Sequence, residues 1–73
     1  MLSANDVEDI LEAGASVKIA ALAPEILIRL AEVAHDSGVR LEIDAHGMSA
    51  QSMTKIAKAG RGHVLFDLTA WKD

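Results

Sequence analysis

The chain has 73 residues, enough for one small domain, and it contains no cysteine, which excludes disulfides and cysteine-based zinc sites as supports for its core. Its composition, 51% hydrophobic and 25% charged, is typical of a globular chain and excludes a disordered one. The formal net charge of −4 argues against direct binding of nucleic acid, and no apolar run reaches the ~20 residues of a membrane span.

Three stretches of related sequence predict three helices. The first, 2–14 (LSANDVEDILEAG), aligns without a gap with the third, 48–60 (MSAQSMTKIAKAG), and 22–34 (LAPEILIRLAEVA) fits the same frame. All three carry apolar residues at i, i+3 and i+4, which places those residues on one helical face. The expected start and stop signals are the N-caps Ser3 and Ser49, an acidic partner for Ser3 at Asp6, Pro24 near the first helical position, and left-handed stops at Gly14, Gly38 and Gly60.

A short β-type run follows each helical stretch, at 17–19, 39–43 and 64–68. Apolar residues alternate with mostly polar ones in these runs, so each strand has one apolar face and one mainly polar face. The chain therefore predicts a single domain of three tandem helix–strand units, about 2–20, 21–46 and 47–71.

The predicted fold is a two-layer, solenoid-like α/β domain with a three-stranded parallel sheet. Right-handed crossovers and the strand order 1-2-3 would place all helices on the apolar face. With strand 1 in the middle, helices would cover both faces and bury the charged side chains of Arg40, Glu42 and Asp44 at a high cost in free energy, so we reject that order.

A one-sided parallel sheet is also the arrangement of leucine-rich repeats. The segment 41–48 is similar to their L-x-L-x-x-N-x-L pattern, with Leu41, Ile43 and Met48 at the apolar positions. The resemblance implies shared architecture only, because the family's buried Asn is replaced in the three units by Leu22, His46 and Trp71. We assign no family.

The polar face of the sheet is the first candidate site. We interpret Glu42, Asp44 and Asp67 as an acidic patch for a cation or for a partner's Lys and Arg, against the plainer interpretation of a solvated face screened by Lys18 and Arg40. Aligning the strands predicts three rows across the sheet: Lys18–Arg40–Leu65, Ala20–Glu42–Asp67 and Leu22–Asp44–Thr69. In the second row the carboxylates of Glu42 and Asp67 would be neighbours. Like charges directly opposite each other are unfavourable, so this arrangement would need a reason.

Catalysis and metal binding have little support. Asp44 and His46 have ligand chemistry for a divalent cation, but two such residues two positions apart on a strand are common, so we expect no metal, no cofactor and no enzymatic activity. Gly60-Arg61-Gly62 follows a helix, so it predicts a turn and not a phosphate-binding loop. His63 opens the third strand and has no predicted partner.

Three apolar residues stand where a monomer would expose them: Leu65 on the polar face, Ile28 at the margin of the middle helix, and Trp71 beyond the last strand. Trp71 either anchors an interface or folds back over the helical layer. Strands 1 and 3 are both sheet edges, which proteins normally protect.

We therefore expect an interaction or assembly module that pairs through a sheet edge with itself, as a dimer or a head-to-tail array, or with a larger protein. The alternative is a small acidic inhibitor that occupies a basic groove, such as a nucleic-acid-binding cleft, on another protein. Residues 1–9 lack the basic start and apolar stretch of a signal peptide, which favours the cytosol.

Overall fold

The computed structural model describes residues 2–69, in which three helices alternate with three strands. The helices are α1 (Ala4–Glu12), α2 (Pro24–Ser37) and α3 (Ala50–Gly60), and the strands are β1 (Val17–Ile19), β2 (Leu41–Asp44) and β3 (Val64–Asp67). The strands are parallel in the order β1-β2-β3. The predicted two-layer α/β fold is confirmed.

α1 and α3 begin directly after the N-caps predicted from the sequence, Ser3 and Ser49. The Ser3 hydroxyl accepts a hydrogen bond from Asp6 N, and the Asp6 carboxylate accepts one from Ser3 N, which completes a capping box. The Ser49 hydroxyl accepts from Ser52 N at 3.1 Å in the same way. α2 begins at Pro24, whose missing N–H costs nothing at that position.

Gly60 does not have the role that we predicted for it. It is the last residue of α3, and the left-handed position belongs to Arg61, with φ 46°. A Cβ on Gly60 would lie 2.3 Å from Val64 Cγ2, closer than real atoms approach. Glycine is therefore needed here because α3 and β3 approach closely, and not because of its φ.

The core lies between the helices and one face of the sheet. α2 packs between α1 and α3, as its wide apolar arc indicated. On β2, Leu41 and Ile43 are fully buried, whereas Glu42 and Asp44 point to the opposite face and are half-buried. The buried apolar side chains are Leu11, Leu27, Leu30, Ala31, Ala34, Leu41, Ile43, Ala45 and Ile56. The helices therefore cover one face of the sheet and leave the polar face open.

The observed register differs from the predicted one on β2. The rows are Val17–Leu41–Val64, then Lys18–Glu42–Leu65, then Ile19–Ile43–Phe66, and Asp44 lies beside Asp67. The predicted rows placed β2 two residues out of step, and the predicted pairing of Glu42 with Asp67 was wrong.

The turn after α2 explains this shift. Val39 N donates to Ala34 O at 3.1 Å, so Val39 closes the end of the helix and does not open the strand. The first row consists of Val17, Leu41 and Val64. Each lies three positions after a residue with positive φ, namely Gly14, Gly38 and Arg61. The helix-to-strand turn therefore sets the register.

Candidate functional site

A lysine from one edge of the sheet lies at the centre of the polar face. Lys18 Nζ lies 3.4 Å from Glu42 Oε2 and 3.8 Å from Asp67 Oδ2. The side chain therefore extends from β1 across β2 towards β3. It compensates two of the three carboxylates proposed as an acidic patch, whereas the sequence indicated only a general screening role for Lys18.

The two aspartates at the carboxyl ends of β2 and β3 hold turns. Asp44 Oδ1 accepts from His46 N at 3.1 Å. Asp67 Oδ1 accepts from Thr69 N at 2.9 Å and from the Thr69 hydroxyl at 2.7 Å. Aspartates commonly bond the main chain two residues ahead in such turns. The spacing after each strand is the signal that could have revealed this role.

These contacts also explain the ionisation of Asp67. Three contacts lower the pKa of Asp67 below its usual 3.8. The hydrogen bond from the Thr69 hydroxyl contributes most, and the bond from Thr69 N and the charge of Lys18 contribute less. Asp67 is therefore held as a carboxylate within its own turn, although Asp44 lies beside it on β2.

The contact between Asp44 and His46 belongs to the turn after β2. Their contact uses the main-chain N–H of His46 and not its ring. Among residues 2–69, no group of three or more His, Asp or Glu side chains is placed to hold a metal ion. The proximity of the two residues is explained by the turn.

The opposite end of the sheet joins the helix-to-strand turns to one another. His63 Nδ1 lies 2.9 Å from Val39 O, a partner that the sequence did not indicate. Its ring meets that of His35 edge to face, with centroids 5.3 Å apart. The Ser16 hydroxyl accepts from Arg40 N at 3.0 Å. An open depression of about 470 Å³ is lined by Ser16, Val39, Arg40 and His63.

The two edge strands present different main-chain groups. His63 O accepts from Leu41 N and Asp67 O accepts from Ala45 N, so the alternate residues of β3, Val64 and Phe66, direct their N–H and C=O away from β2. Within residues 2–69, no strand pairs with that side of β3.

On β1 the outward position belongs to a charged residue. Val17 N donates to Arg40 O at 3.1 Å, which leaves Lys18 as the residue of β1 whose main chain points outwards. Within residues 2–69, this edge is also unpaired.

The three apolar candidates have different surroundings. Leu65 is 43% exposed on the polar face, in the row that contains Lys18 and Glu42. Ile28 is half-buried and packs against the core. Trp71 lies outside the described residues. Leu68, which directly follows β3, is 51% exposed and adds to the apolar surface at this end of the sheet.

Comparison with known proteins supplies no further constraint. No protein-family model, curated protein or solved structure matches the chain. No helix among residues 2–69 has the length and apolar character needed to cross a membrane. The function must therefore be argued from the surfaces of the fold.

Proposed function

We propose that this chain is a small cytosolic assembly module that pairs with a second copy of itself through a sheet edge. One observation carries the proposal: β3 has outward-facing main-chain groups at Val64 and Phe66 and, between them, the 43% exposed side chain of Leu65. An unprotected edge of this kind is a template for another strand.

The size of the chain supports the same conclusion. A 73-residue domain without cysteine has few means of adding to its core, and association is a common one. Pairing would satisfy main-chain groups at the edge and remove an apolar side chain from water. A four-residue strand gives a small interface, so we expect weak binding, with a dissociation constant on the order of 100 μM.

The acidic-inhibitor alternative has weaker support. Lys18 contacts Glu42 and Asp67, and Asp44 and Asp67 are engaged by their own turns. A surface that offers free carboxylates to a basic groove would not need a lysine between those carboxylates. A strand from a larger protein would use the same edge of β3, so the observation on β3 also supports that form of edge pairing.

Solution mass measured by light scattering and sedimentation equilibrium tests the proposal. Between about 10 μM and 1 mM, a range that brackets the expected affinity, the average mass should rise from that of a monomer towards that of a dimer. It should change little when salt is raised to about 1 M, where charge contacts are screened. A constant monomer mass over this range would contradict self-association.

A further inference from the structure

We infer that the pairing edge is β3, and that two copies join their β3 strands antiparallel about a two-fold axis that passes beside Leu65. This inference rests on the proposed function and adds the strand that pairs, its orientation and the register. A two-fold axis perpendicular to the sheet keeps both helical layers on one side and joins the two polar faces into one surface.

The main-chain groups favour β3 over β1. In an antiparallel pair, alternate residues exchange both of their hydrogen bonds with the residue opposite. Val64 and Phe66 both point outwards on β3, so each can form such a pair with the other residue on the second copy. On the three-residue β1, Lys18 is the residue that offers this geometry. Pairing through β3 therefore satisfies more main-chain groups.

The side chains select the register. With the axis at Leu65, Leu65 faces Leu65 of the second copy at a non-hydrogen-bonded position, where Cα atoms lie about 4.5 Å apart. Val64 then faces Phe66 of the second copy on the helical side. Both contacts are apolar, and the 43% exposed Leu65 becomes covered. A register centred on Phe66 would instead place Leu65 opposite Asp67.

The charges argue against the other two arrangements. A two-fold pairing of β1 centred on its middle residue would bring Lys18 opposite Lys18 of the second copy, and like charges directly opposite are destabilising. Head-to-tail pairing of β3 with β1 in the register found within the chain would place Leu65 beside Lys18 of the next copy. That arrangement leaves Leu65 beside a cation and does not close.

Disulfide cross-linking tests this geometry, because the chain has no cysteine and each substitution introduces a single thiol. Under mild oxidation at about 1 mM, well above the expected dissociation constant, Leu65→Cys should form a covalent dimer in most of the protein. Lys18→Cys should form no covalent dimer above background, although it should still associate through β3. Glu42→Cys, on the same face but on the central strand, measures the background from random collision.

Mixed samples separate the alternatives. A 1:1 mixture of Leu65→Cys and Lys18→Cys should yield disulfide-linked dimers of Leu65→Cys alone. A mixed disulfide in that sample would establish head-to-tail pairing. A disulfide-linked dimer of Lys18→Cys would establish pairing through β1. Either result overturns the inference. A disulfide between Leu65→Cys and Asp67→Cys in place of the Leu65→Cys dimer would overturn the register. Cross-linking of Leu65→Cys no greater than that of Glu42→Cys, with no disulfide to Asp67→Cys, would overturn the β3 interface itself.

The two proposals fail in different ways. If the unmodified chain is a monomer at every concentration, self-association itself is wrong. If it forms a dimer but Leu65→Cys does not cross-link, self-association stands and the β3 interface is wrong. Circular dichroism provides the folding control, and we expect Leu65→Cys to keep the native spectrum because Leu65 lies outside the buried core.

Discussion

The two edges of the sheet carry opposite chemistry at equivalent positions. Lys18 on β1 and Leu65 on β3 both pair with Glu42, from opposite sides of β2. β1 is three residues long with a lysine at its centre, and short length and lysine are two ways in which proteins protect an edge. β3 is one residue longer and carries a leucine there. Within residues 2–69, β1 therefore has features that protect an edge and β3 lacks them, and under the proposed function this difference in side chains selects β3 for pairing.

The largest effect should come from giving β3 the residue that protects β1. Leu65→Lys should weaken dimer formation at least about tenfold, because two like charges would face each other at the proposed axis. The matched variant Lys18→Leu should leave the dimer intact, because β1 lies outside the interface. Sedimentation equilibrium on both variants measures the effect. Equal weakening by both, or weakening by Lys18→Leu alone, would contradict the assignment of β3.

The packing of α3 against β3 should be sensitive to a small increase in side-chain volume at Gly60. Gly60→Ala places a Cβ against Val64, and overpacking of this kind costs about 1–3 kcal/mol of unfolding free energy, more than the ~1 kcal/mol of improved helix propensity. Urea unfolding measures the loss. In the double variant Gly60→Ala/Val64→Ala, the loss should be smaller than the sum of the two single losses, since the clashing methyl is gone. Additive losses would show that contact with Val64 is not the reason for Gly60.

The smallest effect concerns the polar face that links the two edges. Thr69→Val should raise the pKa of Asp67, because the strongest hydrogen bond to its carboxylate is removed. Lys18→Leu should raise it less, because the charge of Lys18 contributes less than Thr69. A carbon-13 NMR titration of the carboxyl group measures both shifts, and a larger shift in Lys18→Leu would contradict this order.

The pKa of Asp67 also sets the sign of a pH effect on stability. Because the folded pKa lies below 3.8, the carboxylate stabilises the fold above that pH, and the contribution is lost as the pH falls through the folded pKa. The stabilities of the original chain and of Thr69→Val should therefore converge in acid.

Local signals predicted most of the fold. The capping residues Ser3 and Ser49, Pro24 at the start of α2 and the left-handed Gly38 act on neighbours a few positions away, so their roles could be identified from the sequence. The alternation of apolar and polar residues fixed which strand face the helices cover. The candidate surfaces were partly predicted, since Leu65 was identified as out of place on the polar face.

The contacts that could not be predicted join residues far apart in the chain. The position of Lys18 between Glu42 and Asp67 depends on register, and the register was mispredicted because Val39 is an apolar residue used in a turn. The contact of His63 with Val39 spans 24 positions, so no local pattern could show it.

By itself, the sequence determined the number and kind of the elements, their order in the sheet and the face that they bury, because periodicity, capping and crossover handedness are local or topological constraints. Only the tertiary structure decided how far each strand slides against its neighbour. The register depends on how each helix ends, because the turn after each helix sets where the next strand begins. It thereby determined which charges meet on the polar face, since Glu42 and not Arg40 shares a row with Lys18 and Leu65.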